Sequence, residues 1–462
     1  MRILSLLLIL AATVRANANS IVVTNTNETG AGSLDDAITS ASSGDTITFN
    51  LTYPAIIALC GTLVISTNLT IAGPGAASLA ISEGQDSTCS TGPVFFVSGG
   101  TVRISGLTIQ YGYAPVPGGG DIVNYGTLAL TACTVSYGGT EPGGSGGGIN
   151  NSGILTLIDS TLSGNFTPDE GGGISSSGTL TVINSTFSGN MAAIDGAAIF
   201  SSGTLALINT TVSGNSQMFP GPMNGIISFD TLSLKNSILA NNHGGNCPGT
   251  AVTSHGHNLS DDDTCAGLTG PGDLNNTSAG LDLAGLQYNG GPTQTIALLP
   301  TSPAVNAIPL TPINYCTALD GVTPIAADQR GVPRPQGPEC DMGAFELAPT
   351  ALCTGCYFFI QNERATFAFS SQAGTFSYYY RSSTESVQFV STLISRFSVL
   401  DDIASFSGEG TLNGQSGFSF AVVAAAGGAL GAGTVSINII GPNNYSYAAN
   451  GTLAGGGIVV QP

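Results

Sequence analysis

The chain has 462 residues, of which 65 are glycine, 8% are charged and none is tryptophan, a composition typical of stacked short strands rather than of helices. Its 28 acidic residues outnumber its 9 basic residues, so the formal net charge is −19. A surface of this sign repels phosphate backbones and anionic membranes, which excludes nucleic acid as a partner, and it disfavours uronic-acid polysaccharides unless a divalent cation bridges the like charges.

Residues 1–18 are typical of a secretory signal peptide. Arg2 precedes an apolar run from Ile3 to Val14, and Ala16-Asn17-Ala18 supplies small residues for cleavage. The run is too short to cross a bilayer as a helix, and no other stretch is long enough. We therefore expect an exported protein without a transmembrane segment.

Residues 19–50 are predicted to form an N-terminal cap. Ser33 can act as the N-cap of a short helix, and Leu34 and Ile38 lie on one face of that helix. This face would cover the open end of a stacked core, which the terminal coils of solenoids require.

Residues 51–243 are predicted to form the coils of a solenoid, because the sequence repeats with a period of 25 to 27 residues from Gly126 onward. The apolar residues of each repeat lie in short alternating runs, which favour strands over helices. If each repeat is one coil, each column becomes an inward ladder spaced about 4.8 Å. The sequence thus predicts an all-β fold, a right-handed parallel β-helix with three strands per coil. The most regular column contains Ile122, Ile149, Ile174, Ile199 and Ile226.

A polar column accompanies the apolar ones. Asn165, Asn190 and Asn215 each close a Ser-Gly-Asn triplet. Asn and Gly both tolerate left-handed backbone angles, so each triplet is predicted to be a turn with its Asn side chains stacked along the solenoid. A structural role is favoured over a functional one because repeats need this turn chemistry wherever the chain bends.

Nine cysteines in an exported chain indicate disulfides with one thiol left over. Cys133 is the expected free thiol, because its column otherwise holds Ser160, Ser185, Thr210 and Ser237. A small buried thiol is better supported there than a reactive one. Neighbours in sequence are plausible partners, although spacing does not establish connectivity: Cys60 with Cys89, Cys247 with Cys265, Cys316 with Cys340, and Cys353 with Cys356.

Two parts of the chain resemble bacterial secreted proteins. Val23-Thr24-Asn25-Thr26-Asn27 and Gly30-Ala31-Gly32-Ser33-Leu34 are similar to the N-terminal segment of many secreted β-helix proteins, with Asp35 where that pattern usually has Arg. Residues 244–346 closely resemble the choice-of-anchor Q domain, notably in Asn289-Gly290-Gly291-Pro292-Thr293 and Cys340-Asp341-Met342-Gly343-Ala344-Phe345-Glu346. The resemblance implies a secreted or surface-associated bacterial protein with a pectin-lyase-like fold and no established catalytic activity.

The Pro and Gly density of residues 244–346 predicts a closing cap of the β-helix, held by disulfides, rather than a regular coil. Arg330 and Arg334 are expected to pair there with acids or backbone carbonyls. Residues 347–356 are predicted to be a linker in which Cys353 and Cys356 form a local link.

Residues 357–462 show alternating strands that predict a small β-sandwich domain. Gly408-Glu409-Gly410-Thr411-Leu412-Asn413-Gly414 resembles a module that often follows choice-of-anchor regions, although the central Asp-rich turn of that module is replaced by Ala424 to Gly433.

The coils offer little chemistry for the lyases and glycosidases that this fold class hosts. A uronate lyase needs basic residues, and Arg103 and Lys235 are several repeats apart. A glycosidase needs two facing carboxylates, yet the repeat neighbours of Asp159 are Ala132 and Asn184. We therefore assign no catalytic, cofactor-binding or metal-binding residue from the sequence.

Two acidic segments are the remaining candidates. Asp169 and Glu170 could chelate a cation such as Ca²⁺, but an exposed acidic turn is the commoner use of such a pair. His243, His255 and His257 lie near the run Asp261-Asp262-Asp263, which faintly resembles polygalacturonases with the motif order reversed and the basic motif missing. A zinc site could use such ligands, but export favours Cys247 and Cys265 as a disulfide.

The sequence favours a non-catalytic, adhesin-like or matrix-binding protein, secreted or on the bacterial surface, whose Ser/Thr/Asn-faced solenoid holds neutral polysaccharide. The alternative is a carbohydrate-active enzyme, a lyase or glycoside hydrolase, with its site at Asp261 to Asp263.

Overall fold

The computed structural model describes residues 18–84, 92–217, 224–348, 350–371, 374–400, 403–426, 433–454 and 458–461. Residues 1–17 of the predicted signal peptide, and Cys89, lie outside these ranges. The chain forms two compact units. The first comprises the chain up to Thr277 with Leu286–Ile296, and the second comprises Ser278–Gly285 with the chain from Ala297 onward.

The strands up to residue 298 are short. The early ones, with the single α-helix of the described residues, are β1 (Ser20–Val23), α1 (Leu34–Ser40), β2 (Asp45–Phe49), β3 (Ala55–Leu59), β4 (Leu63–Ile65), β5 (Leu69–Ala72), β6 (Leu79–Glu83), β7 (Phe95–Val97), β8 (Thr101–Ser105), β9 (Thr108–Gln110) and β10 (Tyr113–Ala114). The regular coils contain β11 (Ile122–Asn124), β12 (Thr127–Thr131), β13 (Thr134–Ser136), β14 (Gly139–Thr140), β15 (Ile149–Asn151), β16 (Ile154–Ile158), β17 (Thr161–Ser163), β18 (Phe166–Thr167), β19 (Ile174–Ser176), β20 (Thr179–Ile183), β21 (Thr186–Ser188), β22 (Met191–Ala192), β23 (Ile199–Ser201), β24 (Leu205–Ile208), β25 (Thr211–Ser213), β26 (Ser216–Gln217), β27 (Ile226–Ser228), β28 (Leu232–Lys235) and β29 (Ile238–Ala240). Four more follow, β30 (Val252–Ser254), β31 (Leu259–Ser260), β32 (Leu281–Gln287) and β33 (Thr295–Leu298).

The first unit is a parallel β-solenoid of about eight turns, which confirms the predicted fold class. Its strands stack into four parallel sheets. Sheet I has ten strands (β1-β2-β5-β8-β12-β16-β20-β24-β28-β30), sheet II nine (β3-β6-β9-β13-β17-β21-β25-β29-β31), sheet III seven (β27-β23-β19-β15-β11-β7-β4) and sheet IV five (β10-β14-β18-β22-β26). Each regular coil thus has three principal strands, as predicted, with a fourth strand of two residues between sheets II and III.

The predicted apolar ladder is confirmed. Ile149 pairs with Ile122 on one side and with Ile174 on the other, in register, and all five members of the column are fully buried. Full burial of a side chain of this size stabilises the fold by roughly 1.5–3 kcal/mol, so the repeated columns are the main source of cohesion between coils.

The predicted turns and the predicted short helix with Ser33 as its N-cap are also present. The middle residues of the Ser-Gly-Asn triplets, Gly164, Gly189 and Gly214, have φ of 66°, 68° and 71°, the left-handed region that glycine adopts without a Cβ penalty. At the N-terminal end, the Ser33 hydroxyl accepts a hydrogen bond from the Asp36 amide at 3.1 Å, and the buried face of α1 packs on the core.

The disulfide predictions agree with the structure where it describes both partners. Cys247–Cys265, Cys316–Cys340 and Cys353–Cys356 are bonded, and Cys133 is a free, buried thiol. Cys60 is also disulfide-bonded, while its predicted partner Cys89 lies outside the described residues.

The second unit contains a nine-stranded antiparallel sheet in which each strand pairs with its neighbour in the order β41-β40-β39-β38-β37-β36-β35-β34-β42. Phe369 and Phe406 lie on strands that are not neighbours, yet their rings are 5.0 Å apart, so the sheet curls around an aromatic core. Its first strand begins within the segment predicted as a linker. The strands are β34 (Thr350–Ile360), β35 (Glu363–Ser370), β36 (Thr375–Arg381), β37 (Ser386–Leu400), β38 (Ile403–Leu412), β39 (Gln415–Ala425), β40 (Thr434–Gly441), β41 (Tyr445–Thr452) and β42 (Ile458–Gln461).

Candidate functional site

A groove runs along the outer face of sheet II, over β3, β6, β9, β13 and β17. Two cavities, of about 380 Å³ and 600 Å³, share Pro54, Ala55 and Ile56 in their walls, so they lie next to each other and together are called the groove. Because side chains alternate between the two faces of a strand, the core residue of each strand is flanked by residues that face the groove. The polar floor consists of Thr108, Gln110, Thr134, Ser136 and Ser163.

Two tyrosines stack directly after β9 and β13. The rings of Tyr111 and Tyr137 are 5.2 Å apart with an interplanar angle of 12°, and the side chains are 39% and 53% exposed. Tyr137 lines the groove. The pair therefore presents a flat aromatic surface beside a polar floor.

The backbone at these tyrosines is strained. Tyr111 and Tyr137 have φ of 61° and 59°, in the left-handed region, which costs a residue with a Cβ roughly 1–2 kcal/mol. The strand register places them in the column that holds Gly164 and Gly189 in the next coils. The turn itself does not need a tyrosine, so the side chains point to a role outside the backbone.

The polar floor retains hydrogen-bonding capacity. The Thr108 hydroxyl donates to the Ala76 carbonyl at 2.8 Å, whereas the side chains of Gln110 and Ser163 make no hydrogen bond within the described ranges. An amide and a hydroxyl can each donate and accept. The floor can therefore pair with a ligand that carries both donors and acceptors.

A distant segment meets the coils at one end of the groove. The Thr161 hydroxyl donates to the Gln294 carbonyl at 2.6 Å, and the Thr293 hydroxyl donates to the Asp159 carbonyl at 2.9 Å. Tyr288, which is 60% exposed, and Gln294 form the wall there.

Every described residue that lines the groove is uncharged. The described lining thus holds no carboxylate, imidazole or amine that could transfer a proton or neutralise a uronate. Its chemistry consists of hydrogen bonding and contact with aromatic faces.

The histidine-aspartate segment has a structural arrangement instead. His257 is buried, His243 and His255 are exposed, and Cys247 is bonded to Cys265. Asp262 accepts hydrogen bonds from the amides of Asn246 and Thr264, both at 2.9 Å. No cluster of three or more metal-ligating side chains occurs within the described residues.

Asp261 terminates the predicted asparagine ladder. Each buried amide nitrogen donates to the side-chain oxygen of the next member at 2.9 Å, and the last, that of Asn246, donates to Asp261 Oδ1 at 2.9 Å. A carboxylate accepts without donating, so it closes the series. The ladder contains Asn165, Asn190, Asn215, Asn242 and Asn246.

The acidic turn at Asp169 and Glu170 is joined by Asp195 of the next coil, which forms an isolated bridge with Glu170. Burial, and then the neighbouring carboxyls of Asp195 and Asp169, raise the pKa of Glu170. Burial also raises the pKa of Asp195, which accepts a hydrogen bond from the Asn224 amide at 3.0 Å.

The basic residues considered from the sequence do not lie together in one site. Arg103 is exposed on β8, and Lys235 is 4% exposed on β28, five strands along sheet I. Arg334 is confirmed as a structural partner, because it pairs with Glu346 at 2.8 Å and donates to the carbonyls of Asp341 and Gly343. Arg330 pairs with Asp328 at 2.7 Å, also as expected.

A buried acid escaped the sequence analysis. Asp121 is fully buried, and its Oδ1 accepts the Gly112 amide at 2.9 Å, just as Asn165 accepts the Gly138 amide one coil later. Gly138 has no side chain that could accept the hydrogen bond of the Gly112 amide. Asp121 supplies this missing acceptor of the ladder. Burial raises its pKa well above the usual range, and the nearby carboxyl of Glu83 raises it further.

The groove was missed because its residues look unremarkable in sequence. The available signal was positional: the column of Tyr111 and Tyr137 holds glycine in the next three repeats, and then Asn241. That column is visible only after the strands are aligned.

The fold and groove define a parallel β-solenoid with an uncharged, tyrosine-lined groove, a fold consistent with pectin-lyase-like proteins. No model of a known protein family matches the chain, and neither a curated protein nor a solved structure was found to be similar to it. Among the described residues, no helix is both long enough and apolar enough to span a membrane.

Proposed function

We propose that this chain is a non-catalytic, secreted or surface-associated protein that binds neutral glycans in the groove of sheet II. The observation that carries the proposal is the stacked, exposed pair Tyr111 and Tyr137, held in a left-handed backbone that the next three coils give to Gly164, Gly189 and Gly214. Aromatic faces bury the C–H surface of sugars, and the floor offers partners for hydroxyl groups.

The negative net charge of the chain and the uncharged lining of the groove both support a neutral ligand. The chain carries a net charge of −19, and the described groove lining has no basic residue to hold an acidic sugar. Neutral polysaccharide avoids both the repulsion and the desolvation of an unpaired charge.

Disulfides are compatible with an extracellular protein, and the choice-of-anchor Q resemblance of residues 244–346 supports placement on a bacterial surface. In this proposal the protein acts as an adhesin or matrix-binding component, and the solenoid is the scaffold for the groove.

The test is a glycan array and affinity electrophoresis with the full chain in sodium buffer containing EDTA. Neutral polysaccharides such as galactomannan, xyloglucan and mixed-linkage glucan are compared with polygalacturonate and alginate. We expect binding within the neutral set, lost in Tyr137→Gly and weakened in Tyr288→Ala. The matched control is Tyr125→Ala, which removes a tyrosine that is 48% exposed on the outer side of sheet III.

Two results would contradict the proposal. One is the absence of binding to every glycan, and the other is binding that Tyr137→Gly leaves unchanged. Release of reducing sugars or unsaturated products, lost on replacement of Asp261, Asp262 and Asp263 by Asn, would establish the enzymatic alternative.

A further inference from the structure

The two ends of the groove differ. Toward the N-terminal cap it continues past β3 into the cavity lined by Thr24, Asn25 and Asn27. Five parallel strands floor the groove, so its length over sheet II is roughly 19 Å at a strand spacing of about 4.8 Å. On this side an extended chain could enter along the solenoid axis.

The other end is closed at β17. The Thr161 hydroxyl holds the Gln294 carbonyl, and the Thr293 hydroxyl holds the Asp159 carbonyl, so residues 293–294 lie across the sheet at this coil. The threonines that face outward from successive strands become more buried toward this closed end. Thr108 is partly exposed, Thr134 is 8% exposed and Thr161 is fully buried.

The threonine column stays covered beyond this point. Thr186 and Thr211 occupy the same outward column in the next two coils, and they are 0% and 2% exposed. Ser188, which pairs with Ser163, is partly exposed, but the threonine side of the floor is covered from Thr161 onward. A ligand chain lying over the threonine column therefore cannot continue along the same path over these strands.

From this geometry we propose that the groove binds the end of a neutral glycan chain rather than an internal stretch. The inference rests on the proposed function and specifies its ligand. The terminal sugar lies against Tyr288 and Gln294, the next ones stack beside Tyr137, and the rest of the chain leaves past Ile56. An internal stretch would need an exit at both ends.

The experiment compares one polymer at several lengths. Galactomannan, xyloglucan and mixed-linkage glucan are each shortened by limited endoglycanase digestion, and binding by the full chain is measured by light scattering and isothermal titration. For an end-binding groove, shortening about tenfold lowers the half-saturating mass concentration about tenfold, because mass action follows the number of ends. The number of protein molecules bound per glycan chain stays the same at every length.

Several proteins bound along one long chain, or equal binding per unit mass at every length, would overturn end recognition while leaving glycan binding intact. Failure of both polymers and fragments to bind would overturn the proposed function itself. Thr161→Val with Thr293→Val adds a second measurement. Loosening the closure should raise the number of proteins bound per long chain, whereas Thr253→Val on sheet I should not.

Discussion

The coil formed by residues 121–140 and the coils that follow it share one backbone path but differ at several columns. Their strands pair in register in sheets I, II and III. The differences are therefore of side chain and not of topology. They are Asp121 where the next coil has Gly148, Cys133 where it has Ser160, Tyr137 where it has Gly164, and Gly138 where it has Asn165.

These substitutions are of two kinds. Asp121 compensates for the side chain missing at Gly138, and Cys133 is a near-isosteric replacement for serine, so both maintain the packing of the coil. Tyr137 compensates for nothing in the turn, since glycine is better suited to a positive φ. A departure from the repeat without structural compensation is therefore the more informative signal of function.

The largest expected effect comes from breaking the asparagine ladder in the regular coils. Asn190→Ala removes the side-chain oxygen that accepts from the backbone and side-chain amides of Asn165, and the side-chain donor to the Leu162 carbonyl, and each buried group left without a partner costs about 1–3 kcal/mol. We expect a loss of more than about 3 kcal/mol in the free energy of unfolding, measured by urea denaturation. The control is Ser177→Ala in the exposed turn after β19, and equal stability of the two variants would contradict a structural ladder.

The next largest effect is a pH-dependent change in stability at Asp121, the acid that compensates for the missing side chain of Gly138. The pKa of Asp121 is raised in the folded protein, so folding favours the protonated carboxyl, and its contribution is lost as the pH rises from the ordinary range of Asp through the raised value. Asp121→Asn supplies the residue found elsewhere in the ladder and does not titrate. We expect the variant to be more stable than the parent at pH 8, by on the order of 1–3 kcal/mol, and to approach it at acidic pH.

Thermal unfolding at several pH values measures this difference. Glu83 also has a raised pKa through burial and remains in both proteins, so some loss of stability at high pH persists in the variant. Parallel pH profiles for the parent and Asp121→Asn would show that Asp121 is ionised in the fold.

A smaller effect is expected at the tyrosine column. Tyr137→Gly relieves left-handed strain of about 1–2 kcal/mol and loses a ring stack worth about 0.5–1.5 kcal/mol. The two nearly cancel, so stability should change by less than about 1 kcal/mol while glycan binding is lost. The reverse change, Gly189→Tyr, introduces the strain without a stacking partner and should destabilise by about 1–2 kcal/mol. A loss of several kcal/mol in Tyr137→Gly would identify the tyrosine as part of the packing.

The smallest effect is expected at Cys133. In Cys133→Ser the hydroxyl would donate to the Thr131 carbonyl, as Ser160 donates to Ile158, so stability should change by less than about 1 kcal/mol. Burial raises the pKa of the Cys133 thiol to about 11, and it should react with iodoacetamide at pH 8 only after unfolding. Rapid labelling of the native protein would contradict this burial.

Much of the solenoid was predictable because its information is periodic. Ile174 recurs with its neighbours at a constant step, so one alignment predicts both its burial and its pairing. The cap helix and the Ser-Gly-Asn turns follow from local capping and left-handed preferences. In the second unit, β34 begins where a linker was expected.

The candidate site was not predictable in the same way. Its closure depends on contacts between Thr161 and Gln294 and between Asp159 and Thr293, which are 133 and 134 residues apart in sequence. The acids and histidines at 255–263 are candidates in the sequence because such residue types often carry chemistry. The structure uses Asp261 and Asp262 to complete hydrogen bonding at the end of the ladder.

The asparagine ladder also makes the solenoid modular in length. Asn190 and Asn215 each accept from the coil before and donate to the coil after, so a coil of 25 residues, such as 166–190, can be duplicated or removed without leaving a mismatched rung. Each added coil would lengthen the stack by about 4.8 Å. The terminal acceptor Asp261 needs to occur only once, which allows such proteins to vary in length by whole repeats while their ends stay the same.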